Sequence, residues 1–181
     1  MKKTALDEFS NPRKAGIIAV DLDPGDQLVG AALTDGKHDV MLFSSGGKAV
    51  RFDENDVRPM GRNAHGVRGM ALDKGQKVIA LLVAEDEEQS VLTATENGYG
   101  KLTPVEEFPS HGRGGQGVIA MQTTERNGEL VAATQIATTG ELMLMSSNGT
   151  LVRTRASEIS VLGRNTQGVR VIRLGDGEKV V

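Results

Sequence analysis

The feature that most constrains the fold of this chain is a repeat with a period of 51 residues. Each unit carries one turn glycine and two loop glycines. The turn glycines are Gly47, Gly98 and Gly149. The first loop glycines are Gly61, Gly112 and Gly163, and the second loop glycines are Gly66, Gly117 and Gly168. An edited earlier copy occupies residues 2–33, with a shorter loop. Because three landmarks keep one spacing through two cycles, the chain is a repeat array.

Short apolar segments between turn signals indicate that each unit is built from strands. Segments such as "KVIALLVA", "SVLTA" and "ELMLM" are separated by the turn sequences "ENG", "RNG" and "SNG". This pattern predicts an all-β chain with about four strands in each unit of roughly 50 residues. Such a small sheet cannot bury its apolar face alone, so units must stack in a propeller-like or solenoid array.

We therefore expect a single repeat domain over residues 1–181, containing about 3.5 to 4 repeats. The approximate units are 1–43, 44–94, 95–145 and 146–181. Both ends of the chain are expected to cut through a repeat. The array is thus predicted to be an incomplete part of a longer one.

Composition excludes several classes of function. The chain has no cysteine, which rules out disulfides, thiolate zinc sites and thiol nucleophiles and fits a reducing cytoplasm. The longest apolar run, residues 78–84, is too short to span a bilayer. Tyr99 lies just after a turn, and the histidines lack ligand spacing. We therefore expect no catalytic residue, metal site, cofactor or membrane partner.

One arginine recurs in the glycine-rich loop of every unit: Arg62, Arg113 and Arg164, with Arg13 in the edited copy. Glycine lets backbone N–H groups approach an anion, and a guanidinium matches phosphate. No aromatic residue recurs in the loops, which argues against stacking on single-stranded bases. The predicted partner is duplex DNA, held through its phosphates. The predicted phosphate contacts are Lys3, Arg13, Lys14, Arg51, Arg62, Lys101, Arg113, Arg153 and Arg164.

A purely structural interpretation of the same residues stays open. The glycines could serve tight turns, and each arginine could brace the neighbouring unit. Net charge is −3, so a positive rim requires that acidic residues lie elsewhere. We expect the acidic segments 21–26, 53–56 and 85–88 at an opposite, negative edge. A propeller-like scaffold that grips acidic proteins is the alternative to DNA binding.

Two stretches, "SSGGKAVRFDENDVRPMGRNAHGVRGM" and "SSNGTLVRTRASEISVLGRNTQGVRVI", resemble the C-terminal domain of the DNA gyrase A subunit. The resemblance extends over essentially the whole chain. It implies a β-pinwheel, in which adjacent blades exchange strands, that binds and wraps duplex DNA around its perimeter. It also implies a non-catalytic part of a bacterial, cytoplasmic, ATP-dependent type IIA topoisomerase. The implied partners are the gyrase B subunit together with the core of the gyrase A subunit, and the implied outcome is negative supercoiling.

The related domain of the topoisomerase IV A subunit is the alternative within this resemblance. Gyrase carries a Gln-Arg-Arg-Gly-Gly-Lys-Gly box in its first blade. Residues 111–117, "HGRGGQG", match four of its seven positions, but their register makes them the ordinary loop of an internal repeat. The chain is therefore expected to lack the first of six blades.

Overall fold

The chain folds into short β-strands and 3₁₀ turns, in agreement with the all-β prediction. The computed structural model describes residues 1–86 and 88–181. The strands are β1 Asp39–Ser44, β2 Lys48–Asp53, β3 Val78–Ala84, β4 Ser90–Thr95, β5 Tyr99–Pro104, β6 Val118–Ile119, β7 Leu130–Ile136, β8 Glu141–Met145, β9 Leu151–Arg155 and β10 Val169–Arg170. The 3₁₀ turns are Leu6–Phe9, Glu54–Asp56, Val105–Glu107 and Ala156–Glu158. Among these described residues, no helix is long and apolar enough to cross a membrane.

The strands form antiparallel sheets built around tight hairpins. One sheet has the order β3-β1-β2-β6, the next has the order β10-β5-β4-β7, and β8 pairs with β9. Gly47 and Gly98 close the first two hairpins at φ 79° and 84°. This left-handed conformation favours glycine, which explains why turn glycines mark the repeat.

Adjacent units exchange strands, and this exchange makes the fold a pinwheel. The short strand β6 follows loop 112–117 and pairs with Lys48 and Ala49 of the preceding hairpin. One period later, β10 pairs with Tyr99 and Gly100 in the same way. A sheet therefore contains strands from two sequence units. The unit boundaries expected from the sequence fall within hairpins, so they mark the period of the sequence and not the edges of the sheets.

The continuous apolar run of β1 is explained by burial on both of its faces. Met41 and Phe43 pack between the first two sheets, where the Phe43 ring meets Phe108 edge-on at 6.0 Å. The alternate residues Val40 and Leu42 join a second apolar cluster on the other face of the strand. Burying each such side chain contributes about 1.5–3 kcal/mol. The stacking of neighbouring sheets is therefore the main source of stability.

The two ends of the array are less complete than its middle. The described residues 10–38 contain no strand, and the first copy joins the second through an isolated bridge between Lys3 and Pro59. The β8–β9 hairpin leaves Met143 61% exposed and Met145 50% exposed. The expected four-stranded sheet is thus seen in the two central units.

The second glycine of each of the three later loops lies directly against the backbone of the preceding unit. Gly117 has φ 75°, and a Cβ atom there would be 2.1 Å from the carbonyl oxygen of Ala49. A Cβ atom at Gly66 would be 2.2 Å from the oxygen of Met1. These glycines permit the close approach on which strand exchange depends, so their role is structural.

We predict that Gly117→Ala strongly destabilises the chain, whereas Gly112→Ala has little effect. The left-handed backbone alone costs on the order of 1–3 kcal/mol for a residue with a side chain, and the clash adds to this. A Cβ atom added at Gly112 would have no heavy atom within 4 Å, and φ there is not positive, so this glycine is the matched control. Urea unfolding followed by circular dichroism gives both free energies. Equal stability of the two variants would contradict the close packing described above.

Candidate nucleic-acid interface

The glycine-rich loops of successive units lie side by side. We call residues 12–16, 61–66, 112–117 and 163–168 the loop strip. Gly114 N–H donates to the carbonyl of Gly69 at 2.6 Å, and Ala71 N–H donates to that of Gly115 at 2.8 Å. One period later, Gln122 N–H donates to the carbonyl of Thr166 at 2.9 Å. Direct backbone bonds between a loop and the segment that follows the preceding loop thus fix the spacing of the three later loops.

The three later loop arginines occupy equivalent positions and make the same contact. The Nη1 atoms of Arg62, Arg113 and Arg164 each donate to a backbone carbonyl beside the preceding loop, at 2.8, 3.1 and 2.9 Å. The acceptors are the carbonyls of Ile18, Arg68 and Ile119. Each arginine therefore braces a neighbouring unit, as the structural interpretation of the sequence expects, and the same contact holds its guanidinium in place.

The loop arginines differ in exposure. Arg113 is exposed, whereas Arg62 and Arg164 are half-buried. Nε of Arg164 is buried and has no hydrogen-bond partner among residues 1–86 and 88–181. In the edited first copy, Arg13 and Lys14 are both exposed. Accessible positive charge on the loop strip is therefore greatest at Arg13, Lys14 and Arg113.

Acidic residues lie at the base of the loop strip, which contradicts the expected separation of charge. The carboxylates of Glu8 and Glu107 accept the backbone N–H groups of Arg62 and Arg164, both at 3.1 Å. The backbone carbonyl of Asp56 accepts Nε of Arg113 at 3.0 Å. The cause is topological, because the 3₁₀ turn of one unit lies beneath the loop of the following unit. Asp21 and Asp23 also lie 3.2 and 3.8 Å from the ring nitrogens of His65 in the loop strip. The prediction that segments 21–26 and 53–56 belong to an opposite edge is therefore wrong.

Arg51, which the sequence predicts as a phosphate contact, lies between two sheets as an internal brace. Its side chain is 10% exposed, and Nε donates to Oδ2 of Asp39 at 2.7 Å. Nη1 donates to the carbonyls of Val105 and Phe108 in the next unit, at 3.2 and 3.3 Å. The guanidinium therefore joins two sheets through a cross-strand ion pair and backbone acceptors.

Lys101, also predicted as a phosphate contact, lies inside the fold. The residue is fully buried. Its Nζ donates to the carbonyls of Gly163 and Arg164 at 2.6 and 2.5 Å and to Oγ1 of Thr166 at 3.0 Å. Burial, assisted by the nearby Arg164 guanidinium, lowers the pKa of Lys101 to about 8. The ammonium group holds the following loop in shape from within.

The same lysine clasp occurs in the first unit. Nζ of Lys2 donates to the carbonyl of Gly61 at 2.7 Å and, through a very short bond, to that of Arg62. These acceptors correspond to Gly163 and Arg164, and burial likewise lowers the pKa of Lys2. Val50 occupies the position that is equivalent to Lys101 one period earlier in the chain. The clasp is therefore present on two of the three later loops.

The remaining predicted residues are partly engaged in contacts. Lys3 is 24% exposed, and its Nζ donates to the Glu54 carbonyl at 3.0 Å. Arg153 is 70% exposed and ion-paired with Glu141. The other exposed cations were not among the predicted contacts: Lys37, Arg58, Arg68, Lys74, Lys77, Arg126, Arg155, Arg170 and Arg173. The triplet "GVR", which recurs at 66–68 and 168–170, is a signal that could have identified Arg68 and Arg170.

We predict that Lys101→Met destabilises the chain increasingly as pH rises from 8 to 10. The folded pKa is about 8, whereas an unfolded lysine titrates near 10.4. Between these values the unfolded chain binds more protons, so the contribution of Lys101 to the unfolding free energy increases with pH. That contribution is fully present above the unfolded pKa and is lost as pH falls through the folded pKa.

The measurement is the difference in unfolding free energy between the native chain and Lys101→Met at a series of pH values. Lys74→Met, at an exposed position, is the control for removal of a lysine side chain. A difference for Lys101→Met that is flat or falls between pH 8 and pH 10 would contradict the assignment.

Comparison with known proteins places this architecture in a family. A family model described as "DNA gyrase C-terminal domain, beta-propeller" matches residues 1–35, 38–85, 89–137 and 140–181. The chain is 58% identical over 181 residues to the DNA gyrase A subunit of Pseudomonas aeruginosa. It is 51% identical over 181 residues to the Escherichia coli protein. All of this chain is matched, but it spans only 20% and 21% of those two relatives.

Solved structures agree with this placement. "Structure of DNA gyrase A C-terminal domain" superposes with a TM-score of 0.85 at 28% identity, covering 93% of this chain and 57% of that one. "Crystal structure of the C-terminal domain of DNA topoisomerase IV" gives a TM-score of 0.92 at 25% identity, covering 99% of this chain and 56% of that one. Since the family model matches nearly every residue and the strands are exchanged between sheets, this β-pinwheel chain belongs to the family of C-terminal domains of the DNA gyrase A subunit.

Proposed function

We propose that the chain binds duplex DNA along the loop strip through the phosphate backbone and bends it around the edge of the array. The observation that carries this proposal is the equivalent placement of Arg62, Arg113 and Arg164, each tied to the preceding loop. Cations at a fixed spacing along a rim suit a regular polyanion. Family membership supports the same interpretation.

The hydrogen bonds of the loop arginines hold their side chains in position before DNA binds. A free arginine loses up to about 2 kcal/mol of rotamer entropy when it is ordered. Here much of that cost is already met, because Nη1 is bound to a carbonyl before DNA arrives. The other guanidinium edge can then face a phosphate at little further entropic cost. Smooth bending of 20–30 base pairs costs about 1–6 kcal/mol, so several loops must act together.

The geometry narrows the set of proposed contacts. Arg13, Lys14, Arg62, Arg113 and Arg164 belong to the loop strip and remain the main candidates. Lys3 and Arg153 contribute only if DNA replaces the contacts with Glu54 and Glu141. Arg51 and Lys101 support the loops from inside and are not proposed to touch DNA.

In the longer protein, we infer that this domain presents wrapped DNA to the gyrase B subunit together with the core of the gyrase A subunit, in the bacterial cytoplasm, and so supports negative supercoiling. The chain spans about a fifth of its curated relatives, and we assign strand cleavage and ATP hydrolysis to the remainder of the enzyme. A role in topoisomerase IV is the alternative suggested by the TM-score of 0.92. The 58% identity to a gyrase subunit over the whole chain favours gyrase.

We predict that Arg113→Gln weakens duplex binding to a similar degree on unrelated DNA sequences, because phosphate contacts do not read bases. The slope of log affinity against log salt should fall by about 1 unit for each lost contact. Fluorescence anisotropy with two duplexes of different sequence, at several salt concentrations, measures both effects.

Lys77→Gln is the matched control for Arg113→Gln. Lys77 is exposed and lies at the hairpin-turn end of the first sheet, where its carbonyl accepts Ser45 N–H at 2.9 Å. Removing this charge should leave the salt slope unchanged. Two results would contradict binding through the loop strip. The first is a native affinity for duplex DNA that does not depend on salt, and the second is an equal decrease of the salt slope in both variants.

We also predict that the chain promotes circularisation of DNA fragments near one persistence length, about 150 base pairs. Ligation assays should give more circles with the native chain than with the double variant Arg62→Gln/Arg113→Gln, at concentrations where both are bound. Circle yield no higher than that of free DNA, despite full binding by the native chain, would exclude bending while leaving binding intact.

A further inference from the structure

Three arginines surround the only tyrosine of the chain. Tyr99, Arg126, Arg170 and Arg173 line an open cavity of about 480 Å³, together with Val171 and Ile172. The tyrosine side chain is buried, whereas the three arginines are exposed. The cavity is therefore a cationic recess with a phenol at its base.

The phenol oxygen is the point where two of these cations meet. Tyr99 Oη accepts Nη2 of Arg170 at 3.0 Å and Nε of Arg126 at 3.2 Å. The two guanidinium carbons lie 5.5 and 5.0 Å from the ring centroid, within cation–π range. Because both oxygen lone pairs are used, the hydroxyl proton is left to donate to another group. These hydrogen bonds, from Arg170 first and then Arg126, lower the pKa of Tyr99.

Acidic residues lie beside these arginines, but they form no ion pair with them in the part of the chain that the structure describes. Within residues 1–86 and 88–181, no ion pair is found for Arg126, Arg170 or Arg173. Asp176 and Glu178 line an adjoining cavity of about 310 Å³, which shares Tyr99, Arg126 and Arg170 with the recess and is also lined by Lys179. The Glu178 carboxylate already accepts the Ser146 hydroxyl and Gly175 N–H. The recess therefore holds excess positive charge in a chain whose net charge is −3.

The cluster is not a copy of a repeated brace. Tyr99 corresponds by period to Lys48, and Arg170 to Ile119, which face each other in the preceding sheet. Arg126 and Arg173 correspond to Gly75 and Gln122. Contacts that hold the array together recur with the period, whereas this one occurs in a single place. Strand exchange creates it, because Arg170 lies on β10 and pairs directly with Tyr99 on β5.

We propose that this recess is a binding site for a phosphate group, separate from the loop strip. Guanidinium groups and one phenolic O–H offer several converging donors and a positive field, which match the oxygens of a phosphate. A phosphodiester of bound DNA and a free phosphate ester present the same chemistry. The site goes beyond the proposed function, because it requires neither the loop arginines nor DNA bending.

Tyr99 provides a reporter for the test. It is the single tyrosine of a chain without tryptophan, so tyrosine emission and tyrosinate absorbance come from this site alone. We expect inorganic phosphate, titrated at constant ionic strength against chloride, to change the emission with saturation. Bound phosphate also neutralises the guanidiniums, so the pKa of Tyr99 should rise towards its ordinary value.

Variants identify the residues responsible. Arg126→Gln and Arg170→Gln should each weaken the phosphate response at least about tenfold, as expected for a lost charge-assisted hydrogen bond. Arg68→Gln is the matched control, because Arg68 occupies the position equivalent to Arg170 in an earlier loop and does not line the cavity. Thermal unfolding of each variant verifies that the fold is retained.

A second arm, with a short duplex in place of phosphate, distinguishes the source of the phosphate group. A Tyr99 response to both ligands supports a site for a DNA phosphodiester, and a response to phosphate alone supports a site for a small phosphate ester. If the chain does not bind the duplex but still responds to phosphate, the proposed function is wrong and the phosphate site is supported. No phosphate response beyond that of chloride, or an equal loss in Arg68→Gln, would overturn the site.

Discussion

Contact between the backbone of each loop and the hairpin before it is the constraint on which this structure depends. The carbonyl of Gly47 accepts hydrogen bonds from the N–H groups of Ala120 and Met121, at 2.8 and 3.1 Å. One period later, the carbonyl of Gly98 accepts hydrogen bonds from the N–H groups of Val171 and Ile172. These bonds hold the exchanged strands in register. These backbone bonds require no particular side chain. They require only glycine where the two backbones come close together. The loop surface is thereby left free to carry arginines, and the distance between successive arginines is set by the backbone.

Polar side chains then stabilise the same junctions from inside. Burying the ammonium of Lys101 is costly, and its three oxygen acceptors offset that cost. Arg51 similarly joins Asp39 to backbone carbonyls of the next unit. A lysine or arginine on this fold therefore has one of two roles: it supports a junction between units from inside, as Arg51 and Lys101 do, or it is exposed, as Arg113 is. The internal cations keep the loops rigid, and rigid loops are what a pre-positioned phosphate contact requires.

The sequence predicted the period, the turn glycines, the all-β class and the pinwheel by resemblance. It also placed the loop arginines at matching positions. It could not predict which cations are buried, because that depends on strand parity and on long-range pairing. Lys101 lies one place before the position shared by Arg51 and Arg153, and in a strand a one-residue shift reverses the face on which a side chain lies. The acidic base of the loops and the cluster around Tyr99 were missed because strand exchange joins residues that are far apart in sequence.

The acidic residues beneath the loops affect how DNA can be held. Carboxylates of Glu8 and Glu107 on loop N–H groups reduce the positive field that the strip projects into solution. With a net charge of −3, long-range attraction of DNA is weak compared with that of a basic protein. Under the proposed function, affinity must then come from several short-range contacts made at once, each in a fixed position. We therefore propose that the chain favours a duplex that bends to reach several loops over a disordered polyanion.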